Sequence, residues 1–233
     1  MSPKNPQPST PGSVTYYVAM PQSGQGRGVL VLHAWWGLNQ FCRGFCDRLA
    51  QEGFVALAPD LYHGATAATI AEAKKLRSKL KQETVAAEIT QAAEHLRAIC
   101  GAGPASVGGL TCWPEIGVVG FSLGGYWALW LADQKASPVA ATVVFYCSRH
   151  GDYTAGPSAF QFHLAETDDY VAASGVKKMQ KSLQAAGKEA EFYTYAGTRH
   201  WFFESDRPEA YNAPAAELAW RRTVEFLQKH VRI

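Results

Sequence analysis

A serine set between two glycines, Gly120-Phe121-Ser122-Leu123-Gly124, breaks the apolar run Glu115-Ile116-Gly117-Val118-Val119 and leads straight into Tyr126-Trp127-Ala128-Leu129-Trp130-Leu131-Ala132, which has no helix breaker. G-x-S-x-G at a strand-to-helix boundary is the pattern of a nucleophilic serine on a sharp elbow. The glycines two positions either side are needed because strand and helix backbones crowd there. Held in that turn, Ser122 projects its Oγ, and the N–H of Leu123 at the helix start can point at a developing oxyanion. The plainer reading of the same residues is a tight βα turn with a surface serine. What separates the two readings is whether a base and an acid follow.

They do, in the chain order acid then histidine that this elbow requires. The apolar run Ala159-Phe160-Gln161-Phe162-His163-Leu164-Ala165 reads as a strand and empties into Glu166-Thr167-Asp168-Asp169-Tyr170-Val171. Asp168 is the candidate acid, with Asp169 as its alternative. A further strand, Ala190-Glu191-Phe192-Tyr193-Thr194-Tyr195, is followed by Ala196-Gly197-Thr198-Arg199-His200, and His200 is the candidate base. It would take the proton from Ser122 during attack and return it to the leaving alcohol, while Asp168 fixes the tautomer. His33, His63, His95, His150, His163 and His230 lack that order and position, and a lone histidine is more often structural. His33 alone among them ends a strand that could reach the same cleft.

Aromatic residues gather near these positions: Trp35 and Trp36, Phe121 and Tyr126, and Trp201, Phe202 and Phe203. Trp36, Phe121, Tyr126, Trp201 and Phe202 are candidates to line an apolar substrate site. Large rings are also the commonest core fillers, so about half of them should never touch substrate. Arg199 and Arg207 could hold an acidic substrate group, though an arginine near a loop is more often a solvated charge or part of a structural ion pair.

The elements that must position these groups alternate. Strand patterns occur near residues 14–19, 29–33, 54–58, 116–119, 140–146, 160–164 and 191–195. Between them Val85, Ile89, Ala92, Leu96 and Ile99, then Val176, Met179 and Leu183, and finally Trp220, Val224, Leu227 and Val231 recur at helical spacing. Alternation of this kind implies an α/β fold with a mostly parallel central sheet flanked by helices on both faces, and ligands at the strands' carboxyl ends. Residues 1–12 read as a loose tail and 13–233 as one domain, with the glycine-rich connection Gly101 to Pro114 as a mobile loop beside the elbow strand.

Composition narrows the class. The net charge of +2 over 233 residues, with 18% charged residues and no basic block, points away from nucleic acid and from an anionic membrane surface. No apolar stretch is long enough to span a bilayer, and the start of the chain lacks the apolar core of a signal peptide, so a cytoplasmic location is expected. Five cysteines without metal-ligand spacing read as thiols, Cys42 and Cys46 beside the buried stripe of one helix. Cys147, at the end of a strand, is a weak rival nucleophile. Neither a metal nor a cofactor is called for.

These residues together resemble the dienelactone hydrolase family of α/β-hydrolases. The matching segments are Val29-Leu30-Val31-Leu32-His33-Ala34-Trp35-Trp36-Gly37-Leu38-Asn39, Gly53-Phe54-Val55-Ala56-Leu57-Ala58-Pro59-Asp60-Leu61-Tyr62, the elbow, the acid loop, and His200 with Asp206-Arg207-Pro208-Glu209-Ala210-Tyr211. The resemblance implies an α/β-hydrolase fold without a large lid domain, acting on small esters or lactones, with the N–H of Trp35 as second oxyanion donor. Three departures matter: two stand in the site and the third concerns substrate. The family's type member has cysteine where this chain has Ser122, many members have glutamate where it has Ala34, and an arginine of the type enzyme corresponds to Glu204. A serine is activated by histidine during attack and needs no carboxylate to ionise it, so Ser122 and Ala34 are mutually consistent. The expected activity is hydrolysis of a small-molecule carboxylic ester or lactone through an acyl-serine, by a monomer or small homo-oligomer. Acyl transfer by the same residues, and a silent ligand-binding role, are the alternatives.

Overall fold

The computed structural model describes residues 15–100, 105–107, 110–112 and 115–232. The expected tail, residues 1–12, lies outside them. Among the described residues nine strands and six helices follow in the order β1 (Tyr16–Ala19), β2 (Arg27–Leu32), α1 (Gln40–Gln51), β3 (Phe54–Pro59), α2 (Ile70–Arg77), α3 (Gln82–Cys100), β4 (Ala105–Val107), β5 (Leu110–Cys112), β6 (Ile116–Phe121), α4 (Leu123–Ala132), β7 (Val139–Phe145), β8 (Ala159–Thr167), α5 (Ala173–Ala185), β9 (Ala190–Arg199) and α6 (Ala213–His230).

Seven strands make one sheet in the order β1-β3-β2-β6-β7-β8-β9, parallel throughout except for the antiparallel edge strand β1. The apolar runs of β2, β3, β6 and β7 belong to inner strands covered on both faces, which is why they read as continuous rather than alternating. Alternate side chains still go to opposite layers. Val29, Val31, Val119, Phe121, Val143 and Phe145 pack against α1 and α6 through Phe45, Leu49, Trp220 and Leu227. Leu30, Leu32, Val55, Leu57 and Val118 pack against α3 and α4 through Ile89, Leu96, Trp127 and Leu131. A third cluster seats Met179 and Leu183 of α5 on Phe160 and Phe162.

Helix starts follow local chemistry. Asn39 caps α1 by accepting from Cys42 N–H, Thr69 and Glu72 form a reciprocal capping box on α2, and Asn212 accepts from Ala215 N–H at α6. Helix α2 has no counterpart in the sequence reading because Ala73 is its one buried residue, too little for an apolar stripe. The connection Gly101 to Pro114 contains the antiparallel pair β4 and β5; its remaining residues, and with them the reading of a mobile loop, lie outside the described ones. Strands β8 and β9 run to Thr167 and Arg199, further than their apolar cores suggest, and carry the candidate acid and base at their tips.

Candidate active site

Ser122 sits between β6 and α4 with φ +49° and ψ −108°, a backbone region that costs a side-chain-bearing residue roughly 1–3 kcal/mol. The surrounding glycines show why the turn can close. A Cβ on Gly124 would run into the Leu32 carbonyl and come within 2.7 Å of the His33 carbonyl oxygen, and one on Gly120 would meet Gly124 and, at 2.7 Å, the Gly125 Cα. The turn is held further by Ser122 N–H donating to the Phe145 carbonyl at 3.0 Å. A serine in the capping position ordinarily spends its hydroxyl on the helix's free N–H groups. Here it makes no such bond, so Oγ is available elsewhere and the first N–H groups of α4, that of Leu123 included, keep their capacity to receive an anion.

The Oγ lies 3.0 Å from His200 Nε2, and His200 Nδ1 lies 2.8 and 2.7 Å from the two carboxylate oxygens of Asp168. Both partners are buried, at 4% and 9% side-chain exposure, so the pair is shielded from water and salt. The Asp168 carboxylate is fixed in turn by the N–H groups of Tyr170 and Val171, at 2.8 and 2.9 Å. With Nδ1 facing a carboxylate, the imidazole carries its proton there and presents the Nε2 lone pair to Ser122. Asp169 is exposed, and both carboxylate bonds to His200 Nδ1 come from Asp168.

Between the acid and base tips, Glu166 accepts from Gly197 N–H at 2.9 Å, and Thr198 Oγ1 donates to the Tyr195 carbonyl at 2.6 Å while accepting from Glu166 N–H at 3.3 Å. These bonds tie the ends of β8 and β9, which carry Asp168 and His200, to each other.

An aromatic wall surrounds the histidine. Tyr170 packs on His200 at 4.8 Å and on Trp201 at 4.9 Å, Trp35 lies 5.9 Å from Trp201 and 5.5 Å from Tyr170, and Trp36 closes on Trp201 at 5.1 Å. Trp35, Trp36 and Trp201 thus gather beside His200. Tyr126, on the first turn of α4, is partly exposed, with the Arg149 guanidinium 5.5 Å from its ring. The structure does not bring Phe202 to this wall. It is fully enclosed against Tyr146 and Tyr195. Phe121 is likewise enclosed, stacked on Phe145 and edge-on to Phe41 and Phe45, because it points from β6 into the α1 and α6 layer. Arg207 stacks on Trp36 at 3.9 Å and donates to the Ala68 carbonyl and to Asp206, so its charge is committed to holding the Trp36 side of the wall.

Two participants at the site, Tyr170 and Tyr146, are given no place there by the sequence, and a third, Glu204, enters only as a departure from the family's arginine. Tyr170 could have been found from its place two residues after the acid. Tyr146 packs on His200 at 4.8 Å and donates its hydroxyl to Glu204 at 2.7 Å; a tyrosine ending a buried strand gives no such signal. Glu204 is 1% exposed, and its second carboxylate oxygen has no partner. Burial pushes its carboxyl up to about 8, an effect that the Tyr146 hydroxyl bond only partly offsets. At neutral pH it is therefore a neutral acid, bordering with Ala34, Trp36, Asn39 and Phe121 a crevice too narrow to admit a water molecule.

The other histidines have separate employment. His63 pairs with Glu88, His95 stacks on Tyr16, His230 lies by Glu189, His150 is exposed, and His163 is locked between Tyr195, Gln161 and Thr223, with burial lowering its pKa to about 3. Burial also raises the Cys147 thiol to about 12, which leaves it un-ionised. Cys42 and Cys46 are buried as expected. Among the described residues no cluster of metal-ligating side chains occurs, and no helix is long and apolar enough to cross a membrane.

A parallel sheet with an antiparallel edge strand, and a serine elbow facing a histidine and an aspartate across the strands' carboxyl ends, define an α/β-hydrolase. Solved structures agree on the fold: a provisionally named dienelactone hydrolase from Klebsiella pneumoniae superimposes with a TM-score of 0.76 at 23% identity over 93% of both chains. A thermophilic esterase from Thermogutta terrifontis gives 0.64 at 19% identity over 94% of this chain and 92% of its own. The model of the dienelactone hydrolase family matches residues 14–231, and the chain belongs to that family. It is 31% identical to the protein named usf of Aquifex pyrophilus, over 92% of this chain and 93% of that one. To a provisionally named carboxymethylenebutenolidase of Aquifex aeolicus it is 30% identical over 93% of each. The chain is thus a hydrolase of the carboxylic ester and lactone class.

Proposed function

We propose that the chain cleaves small carboxylic esters or lactones through an acyl intermediate on Ser122, with His200 as base and acid and Asp168 as its orienting partner. The observation that carries this is the continuous chain of short bonds from Asp168 through His200 to Ser122 Oγ. Ser122 Oγ bonds to the carbonyl carbon as its proton passes to His200 Nε2, and the carbonyl oxygen becomes an anion held by the N–H groups of Leu123 and Trp35. Collapse breaks the bond to the alkoxy oxygen, which takes the proton back from Nε2. From an open ester the alcohol departs; from a lactone it stays tethered to the acyl chain. Water, deprotonated by His200, then attacks the acyl-serine and releases the acid.

The un-ionised Cys147 and the absence of a carboxylate at Ala34 support a serine mechanism over a thiolate one. The aromatic wall supports an apolar acyl or alcohol group. The test is labelling with a fluorophosphonate followed by peptide mapping. The adduct is expected on Ser122 in the native chain and is expected to vanish in His200→Ala. A folded chain that never labels would overturn the reading and favour a binding role.

A further inference from the structure

We infer that His33 is a positioning residue for the oxyanion hole: its side chain aims the peptide unit between Ala34 and Trp35 so that the Trp35 N–H faces the substrate oxygen. This rests on the proposed reaction at Ser122.

The geometry is local. His33 lies immediately beyond β2 and is 1% exposed. Its Nε2 lies 3.2 Å from Leu61 N–H and accepts from it, which leaves Nδ1 as the protonated nitrogen. Nδ1–H then donates to the Ala34 carbonyl at 2.6 Å. The same carbonyl accepts a second bond from Gly37 N–H at 3.2 Å. One ring therefore links the end of β2 to the segment after β3 with both nitrogens used. The ring is further held by Tyr62, 5.2 Å away, while the nearby Asp60 carboxylate is engaged by the N–H groups of Tyr62 and Gly64.

The consequence follows from peptide planarity. No described peptide bond is cis, and in a trans unit C=O and N–H point in opposite directions within one rigid plane. Fixing the Ala34 oxygen from two sides fixes the direction of the Trp35 N–H, with no further contact required. The carbonyl's bonds also polarise the unit, which makes its N–H a stronger donor. The end of β2 is in addition pressed against the elbow, since the Leu32 and His33 carbonyls occupy the space a side chain on Gly124 would need. The donor and the nucleophile are thereby referenced to each other. Burial holds the His33 pKa below its ordinary value, in keeping with a neutral ring.

The test compares the native chain with His33→Leu and His33→Gln on a carboxylic ester and on the matching thionoester, whose sulfur makes poor use of an oxyanion hole. For His33→Leu, kcat/KM on the ester should fall at least about 30-fold, approaching the roughly 10²–10³ of a lost oxyanion donor, chiefly through kcat. The thionoester rate should fall less than about 5-fold, so that the ester preference collapses. His33→Gln, whose amide can both donate and accept, should recover part of the preference. A loss of equal size on both substrates, or a preference left intact, overturns the inference. If neither variant folds, the native chain labelled with ¹⁵N-histidine decides: His33 should show the Nδ1–H tautomer without titrating between about pH 5 and 8, and an Nε2–H tautomer overturns it. A native chain that neither turns over esters nor labels at Ser122 would instead sink the underlying reading.

Discussion

Asp168 and His200 stand opposite each other because the register between β8 and β9 slips by two residues. Ala165 pairs with Tyr195, but Thr167 pairs with Arg199, so β9 uses four residues where β8 uses two. Continued without the slip, the register would set Thr198 across from Asp168. The extra length is accommodated at Gly197, with φ +69°, whose N–H is held by Glu166. A β-bulge that re-aims a side chain beside an active site is a recurrent device.

Replacing Gly197 by Val should therefore damage alignment as well as stability. A β-branched residue at that φ costs about 1–2 kcal/mol, and the strain falls one hydrogen bond from the acid loop. The expected result is a lower melting temperature together with at least a tenfold lower kcat. A variant that is destabilised yet fully active would show that the bulge does not set the position of His200.

The two aspartates of the acid loop should separate cleanly. Asp168→Asn leaves the ring without its anionic partner and should cost about 10³–10⁴ in kcat. Asp169→Asn, at an exposed position, should stay within about threefold of the native rate, as surface substitutions away from such features usually do. Initial rates on a chromogenic ester decide, and a larger loss in the second variant would reassign the acid.

Glu204 makes stability depend on pH with a definite sign. Its folded-state pKa of about 8 exceeds the ordinary value of 4.5. Between those values the folded protein keeps a proton that the unfolded chain has lost, so stability falls as pH rises through the window, by about 1.4 kcal/mol per pH unit from this group. Glu204→Gln cannot ionise and should lack that decline, gaining most over the native chain near pH 8.5. Denaturation midpoints of the two proteins from pH 5 to 9 provide the check. Parallel curves would mean that the carboxyl is not held neutral.

Tyr170 is 47% exposed and yet covers His200, Trp35 and Trp201. Tyr170→Ala should raise KM for esters with aromatic acyl groups about 5- to 20-fold, the loss of one ring contact and its buried area, while the melting temperature moves by no more than about 2 °C. Unchanged KM across acyl groups would place the substrate elsewhere than against this ring.

What the chain declares by itself is whatever depends on neighbours in sequence. The elbow was legible because its glycines answer a crowding set within five residues, and the inner strands because burial on both faces leaves unbroken apolar runs such as Val29 to Leu32. The order of Ser122, Asp168 and His200 and their places at strand ends were legible for the same reason. Tertiary structure decided what depends on contacts between distant segments. Strand register chose Asp168 over Asp169 and carried His200 past Thr198. Packing enclosed Phe121 and Phe202 while Trp35, Trp36 and Trp201 gathered with Tyr170, because an aromatic ring serves core and site equally well until its neighbours in space are known. Arg207 and Glu204 changed meaning most: one sits over the Trp36 ring and the other is buried with a tyrosine hydroxyl in place of a salt bridge, since a charged residue's state is set by the partners and burial that only the folded chain supplies.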